Sequence, residues 1–311
     1  MNPSNPFVVK KPVESPELLI GRSSIFPWLQ KTLGLGRQKQ ALAISGQPGI
    51  GKTSILRNLS LLPSRHEYVI LQIDAREWRE LSSSDATWKL VKTMSDALTA
   101  KFISYPPVEK PSFVLQPERV FFKDYWDPII LSGEVNKVLL VFDNMGLLAS
   151  EMNIGQELQR KRDFLWSLLK KYKNVEILIT LQGRPELYSP KSIYPFSIGA
   201  NYQLQYLTRD ETSSLLKMTD QYTIADYVCD YIFRLTSGHP ADVQRMAYQI
   251  FERSVESGYR FITSADVLAI LSSNLKAGDF YQPVYGQREN IMLHYSPEAK
   301  TFEFVDDVQE T

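Results

Sequence analysis

Apolar residues follow two different rhythms along this chain. Through the first two thirds, short and nearly unbroken apolar runs recur: QALAIS (40–45), YVILQIDA (68–75), KVLLVFD (137–143), VEILITL (175–181) and a weaker YQLQYL (202–207). A strand wetted on one face would alternate apolar and polar residues. Most of these runs do not, which predicts strands covered on both faces, as in a parallel sheet. Between them the rhythm is helical. A helix is predicted from near Gly51 to about Leu61. Another crosses DATWKLVKTMSDALTAKFI, where Trp88, Leu90, Val91, Met94 and Leu98 recur at helical spacing and Asp85 is placed as the N-cap. QELQRKRDFLWSLLKKY keeps one apolar stripe of Leu158, Phe164, Leu165, Leu168 and Leu169. This alternation predicts an α/β domain with a mostly parallel five-stranded sheet.

Beyond Leu207 the strand runs give way to helices. LTRDETSSLLKM, IADYVCDYIFRLTSG, PADVQRMAYQIFERSVESG and TSADVLAILSS read as about four. Thr208 opens the first, with Asp210 and Glu211 in a turn where carboxylates favour the helix dipole. IMLHYSPEAKTFEFVDD then reads as two strands around a Ser-Pro-Glu-Ala turn, a hairpin. The expected organisation is an extended N-terminal arm (1–17), an α/β domain (18–207), a helical lid (208–275) and a tail with the hairpin (276–311). The proline-rich stretch from Ser104 to Pro117 is expected to be an irregular insertion.

Charge narrows the function classes. Lys plus Arg (35) balances Asp plus Glu (35), so no overall field favours nucleic acid, although a local basic patch stays open. Cys229 has no second cysteine to pair with, and three histidines leave little for a metal cage. The N-terminus lacks the apolar core of a signal peptide, and no run approaches the roughly 20 apolar residues that span a bilayer. A cytoplasmic protein without a membrane role is expected.

The sharpest local signal is GQPGIGKT (46–53), which meets G-x-x-x-x-G-K-[ST] at every required position, between a predicted strand and a predicted helix. Such glycines let backbone N–H groups turn onto phosphate oxygens, with the positive end of the following helix behind them. Gly46, Gln47, Pro48, Gly49, Ile50, Gly51, Lys52, Thr53 and Ser54 are therefore candidate phosphate-binding residues. Lys52 would reach the β and γ phosphates, and the Thr53 hydroxyl would ligate Mg²⁺. A magnesium site of this kind also needs an acid at the end of an apolar strand, and KVLLVFD offers Asp143. Taken alone, each feature has a plain alternative: a glycine turn for the first, a strand-terminal turn residue for the second.

Together with its flanks, the chain resembles the P-loop ATPases of the AAA+ and STAND type over roughly residues 5 to 273. The resemblance is carried in order by NPFVVKKPVESPELLIGR, GQPGIGKTS, VLLVFD, ITLQGRPEL, LTRDE and SGHPADVQ. It implies a five-stranded core with an inserted strand order, a helical lid, and an adenine nucleotide, ATP or ADP, bound between them with Mg²⁺. It implies that the Gly-Arg box, Ile20, Gly21 and Arg22, borders the adenine and ribose, and that Gly238, His239 and Pro240 face the nucleotide from the lid. A loop Gly-Arg and a helix-capping Gly-His-Pro turn are the simpler alternatives. Hydrolytic members of the family usually carry Glu or Asp after the magnesium-shell acid. Here that position is Asn144, which can hydrogen-bond a water but cannot take its proton. At the end of the fourth strand, Thr180, Gln182 and Arg184 are placed to sense the terminal phosphate, Gln182 by orienting a water. Arg184 could equally be a surface residue paired with Glu186. Arg160, Lys161 and Arg162 are read either as a finger offered to a neighbouring subunit or as the solvated face of a charged helix.

The function expected from this reading is a nucleotide-controlled switch with slow or impaired hydrolysis, acting through self-assembly or a protein partner. The alternatives are a DNA-associated loader or regulator, and a scaffold that holds nucleotide without cutting it.

Overall fold

Five strands build the central sheet: β1 (Gln40–Gly46), β2 (Tyr68–Asp74), β3 (Lys137–Asp143), β4 (Val175–Gln182) and β5 (Ser197–Gln203). They are parallel and ordered β2-β3-β4-β1-β5. This computed structural model describes residues 4–35, 40–101, 103, 109, 116–146, 155–183, 197–276, 291–296 and 301–306. Its contacts divide the chain into Pro12–Gln205 and a second unit of Met1–Lys11 with Tyr206–Thr311.

The apolar runs become the inner strands for the reason their pattern suggests. Val138, Leu139, Leu140, Val141 and Phe142 are all fully buried, so β3 meets apolar side chains on both faces. One face carries the larger cluster. Trp78 lies against Phe142 there, and Phe121 stacks on Trp126 and meets Phe164 edge-on. Truncating one of these, Leu140→Ala for instance, removes about 2–5 kcal/mol of stability through lost burial and the cavity left behind.

Two elements depart from the sequence expectation, and a third, helical segment carries no signal in it. The fifth strand is Ser197–Gln203 rather than 202–207. It pairs only with β1 at the sheet's edge and is half-buried, so its sequence has no reason to be continuously apolar. Leu204 and Leu207, which carried the apolar signal, are buried just beyond it. The N-cap of the helix Ser83–Thr99 is Ser82, not Asp85. The Ser82 hydroxyl accepts the Asp85 backbone N–H at 3.1 Å and donates to the Asp85 carboxylate at 2.8 Å. Pro117–Leu131 is helical with a π-helical centre, Val120–Trp126, and its wider turn escapes a search for 3.6-residue spacing. Most of the proline-rich segment before it lies outside the described residues.

In the second unit, four helices occur among the described residues: Arg209–Leu216, Asp226–Thr236, Pro240–Ser257 and Ser264–Lys276. The first has a capping box in which Thr208 and Glu211 each satisfy the other's backbone N–H. Val228, Ile232, Val243, Met246, Ile250 and Phe251 form part of the buried interior. The chain's beginning packs on this unit. Phe7 is buried edge-on against Phe251, Asn5 donates to Glu252 at 2.7 Å, and the Val8 N–H donates to Gln244 at 3.1 Å. Ile291–Ser296 and Thr301–Asp306 pair antiparallel, as the hairpin pattern predicts. No helix among the described residues is long and apolar enough to cross a membrane.

Candidate functional site

Because β4 is inserted between β1 and β3, the loop leaving β1 and the acid ending β3 lie on either side of one strand end. That loop runs from Gly46 into the helix Lys52–Arg57, which continues as a 3-10 turn, Leu59–Leu61. Gly46 (φ 154°) shows why the loop needs glycine. A Cβ there would press on the buried Ile50 side chain at 3.0 Å. Gly51 turns the chain into the helix at φ 103°. The N–H groups of the first helical turn have no partner within the helix and point out of its N-terminus, toward the loop. The helix is held from below by the segment before it. The Val13 N–H donates to Ser54 Oγ at 3.0 Å, and Asn58 Nδ2 donates to the Val13 carbonyl at 2.9 Å.

Thr53 Oγ1 donates to Asp143 Oδ2 at 2.6 Å. The other Asp143 oxygen accepts from the Thr180 hydroxyl at 2.5 Å and from the Asn144 N–H at 2.9 Å. The Thr180 oxygen also accepts the Asn144 N–H at 2.8 Å. Loop helix, β3 and β4 are therefore joined through one carboxylate. Lys52 Nζ donates to the Gly46 and Gln47 carbonyls at 2.7 and 2.8 Å. Burial lowers its ammonium to about 8, against the opposing pull of Asp143.

Asn144 adopts φ 59°, in the left-handed region that asparagine tolerates better than most residues. Its amide donates to Asp74 Oδ1 at 3.3 Å, at the end of the adjacent strand β2. Sequence reasoning missed Asp74. Its signal was an acid closing an apolar strand, the same cue that marked Asp143.

The Gly-Arg box reaches the loop. Arg22 is buried and donates to the Ile50 carbonyl at 3.0 Å and to the Gly21 carbonyl at 2.9 Å, with Ile20 half-buried beside it. Gln182 ends β4 in register with Gly46 and is exposed. Arg184 lies outside the described residues. Arg160 is an exposed partner of Glu157. Lys161 and Arg162 are buried, and Lys161 caps the Trp78 and Arg79 carbonyls, so the solvated-face reading fails for these two. His239 and Pro240 belong to the second unit. There His239 stands at the N-cap position of the helix Pro240–Ser257, and its Nδ1 lies 3.0 Å from Asp242 Oδ2. Gly238, at φ 71°, accepts the Leu207 N–H at 2.9 Å. Locally, then, the Gly-His-Pro segment has the form of a helix-capping turn.

The donor set fits a magnesium polyphosphate. A hydroxyl and a carboxylate, both hard oxygen ligands, stand side by side. An ammonium and outward-facing N–H groups lie on the same loop. No cluster of three His, Cys, Asp or Glu occurs among the described residues, and magnesium carried by phosphates does not require one.

No protein-family model and no curated protein match the sequence. Solved structures do share the fold. The Walker-type ATPase of Pyrococcus abyssi superposes with a TM-score of 0.60 at 16% identity, over 86% of this chain and 77% of that one. Drosophila ORC bound to DNA gives 0.56 at 15% identity, over 86% of this chain and 63% of that one. A RuvB variant from Thermotoga maritima gives 0.51 at 13% identity, covering 84% and 72%. At these identities the likeness is one of fold alone: an α/β fold with a five-stranded parallel sheet, shared with these proteins.

Proposed function

We propose that this chain binds ATP with Mg²⁺ as a switch of the AAA+/STAND type and hydrolyses it slowly. The observation that carries this reading is the 2.6 Å contact between Thr53 and Asp143, behind a loop that meets the whole phosphate-binding pattern. In this account Thr53 and Asp143 hold magnesium, directly or through water, and the amides from Gly46 to Thr53 receive the β phosphate. Lys52 turns from its two carbonyls to the terminal phosphates. Arg22 braces the loop from the side on which the adenosine is expected. The magnesium supplies charge neutralisation on the phosphates.

A nucleotide can operate a switch only by binding one arrangement of the protein more tightly than another. We assign that difference to contacts made by the loop, with self-assembly or a protein partner as the output. Hydrolysis is slow because Asn144 cannot accept the proton of the attacking water. A scaffold that never cuts its nucleotide is the limiting case. A DNA-associated role is the second reading, favoured by the fold shared with DNA-bound ORC. The balanced charge of the chain argues against it.

Calorimetric titration of Mg-ATP tests the reading. Wild-type protein is expected to bind in the micromolar range. Lys52→Ala, which loses charge-assisted bonds worth about 1.5–3 kcal/mol, is expected to bind roughly 10- to 100-fold more weakly. Equal affinities would refute it.

A further inference from the structure

We infer that Asp74, one strand away from the usual place of the acid, is the proton acceptor that sustains the slow ATP hydrolysis proposed above, and that Asn144 is the positioning residue that aims it. This rests on the ATP-site reading above and adds a catalytic group from a strand that reading does not use.

Asp74 and Asp143 are register partners at the ends of adjacent parallel strands, so their Cα atoms occupy equivalent places on the site's rim. Asn144 bridges them, through its backbone on one side and its side chain on the other. Its backbone N–H is fixed by Asp143 and Thr180, and its amide donates to Asp74 Oδ1 at 3.3 Å. The residue standing where hydrolytic members of this fold usually carry an acid thus hands its hydrogen bond to an acid one strand away. Asp74 retains access to water, with a quarter of its side chain exposed. Its other partners belong to Arg76: the backbone N–H at 2.9 Å, capping the helix Ala75–Glu80, and the guanidinium at 2.6 Å. The Arg76 side chain is 63% exposed, so it can leave the carboxylate without opening the core.

In the step, a water oxygen forms a bond to the γ phosphorus while the bond from phosphorus to the β–γ bridging oxygen breaks. ADP departs with that electron pair. One water proton passes to Asp74, which releases it to solvent with phosphate. Nothing is oxidised or reduced.

Helix capping alone is the competing role, and substitution separates the two. Asparagine and serine cap helices about as well as aspartate, but neither takes a proton at neutral pH. Asp74→Asn and Asp74→Ser should therefore melt close to wild type and bind Mg-ATP within about threefold of it. Their single-turnover hydrolysis should fall by roughly 10²-fold or more. Asn144→Gly, which keeps the left-handed backbone and deletes the amide, should lower kcat while leaving KM for Mg-ATP within about twofold. Wild-type turnover in both Asp74 variants would overturn the inference. So would a wild-type protein that binds Mg-ATP yet cuts none of it in a day-long single turnover. Failure of the wild type to bind Mg-ATP would instead remove the ATP-site reading, and this inference with it.

Discussion

Thr180→Val isolates the hydroxyl that ties β4 to Asp143. Thr180 is fully buried, and valine matches its shape, so no cavity opens and the strand preference of the residue is kept. The variant loses a 2.5 Å hydrogen bond to a carboxylate, worth about 1.5–3 kcal/mol. The Asn144 N–H loses one acceptor but keeps Asp143 at 2.9 Å, so that second loss is small. Replacing the hydroxyl with a methyl returns up to about 0.8 kcal/mol of apolar burial. The net cost is about 1–2 kcal/mol. At roughly 2–4 °C per kcal/mol for a unit of this size, the melting midpoint should fall by about 2–8 °C. Tryptophan fluorescence reads this change cleanly, because Trp28, Trp78, Trp88, Trp126 and Trp166 all lie in the α/β unit. Magnesium-dependent ATP binding should weaken as well, since Asp143 loses a support. An unchanged midpoint with unchanged Mg-ATP affinity would show that the Thr180–Asp143 bond does not organise the site.

Two further outcomes follow. Lys52 is lowered to about 8 by burial in the free protein, and bound phosphates raise it, so the complex holds more protons than the free protein above that value. Affinity for Mg-ATP should therefore fall as pH rises through about 8, with proton uptake on binding seen in buffers of different ionisation enthalpy, and Lys52→Ala should lose this dependence. Gly238→Ala and Gly258→Ala start from the same φ of 71°, but a Cβ at 238 would meet the Leu207 carbonyl oxygen at 2.0 Å while one at 258 meets nothing within 4 Å. By circular dichroism the second should cost only the left-handed penalty of about 1–2 kcal/mol, and the first distinctly more.

What could be read in the sequence followed from what burial demands of it. Strands β1 to β4 announce themselves because both faces are covered, so nearly every residue must be apolar. The edge strand β5 carries no such demand, and the π-helical turn at Val120–Trp126 breaks the period on which helix detection rests. The candidate phosphate loop stands out because its pattern is local: glycine, lysine and threonine stand at fixed offsets along one stretch of chain. Asp143 was legible as an acid ending an apolar strand. Asp74 carries the same cue, but its relation to Asn144 depends on which strand lies beside β3, and no residue near either position encodes that. The Ser82 cap shows a finer limit. Ser82 and Asp85 are both good capping residues three positions apart, and only the hydrogen-bond direction decides between them.

The central claim is that the loop Gly46–Thr53 holds a polyphosphate whose magnesium answers to Asp143. Titrating ATP into wild-type protein and Asp143→Asn, each with Mg²⁺ and again with the metal chelated, tests this directly. Magnesium should tighten binding to the wild type by about tenfold or more, and that gain should vanish in Asp143→Asn while metal-free binding stays similar. An equal magnesium gain in both proteins, or no ATP binding by the wild type, would contradict the account.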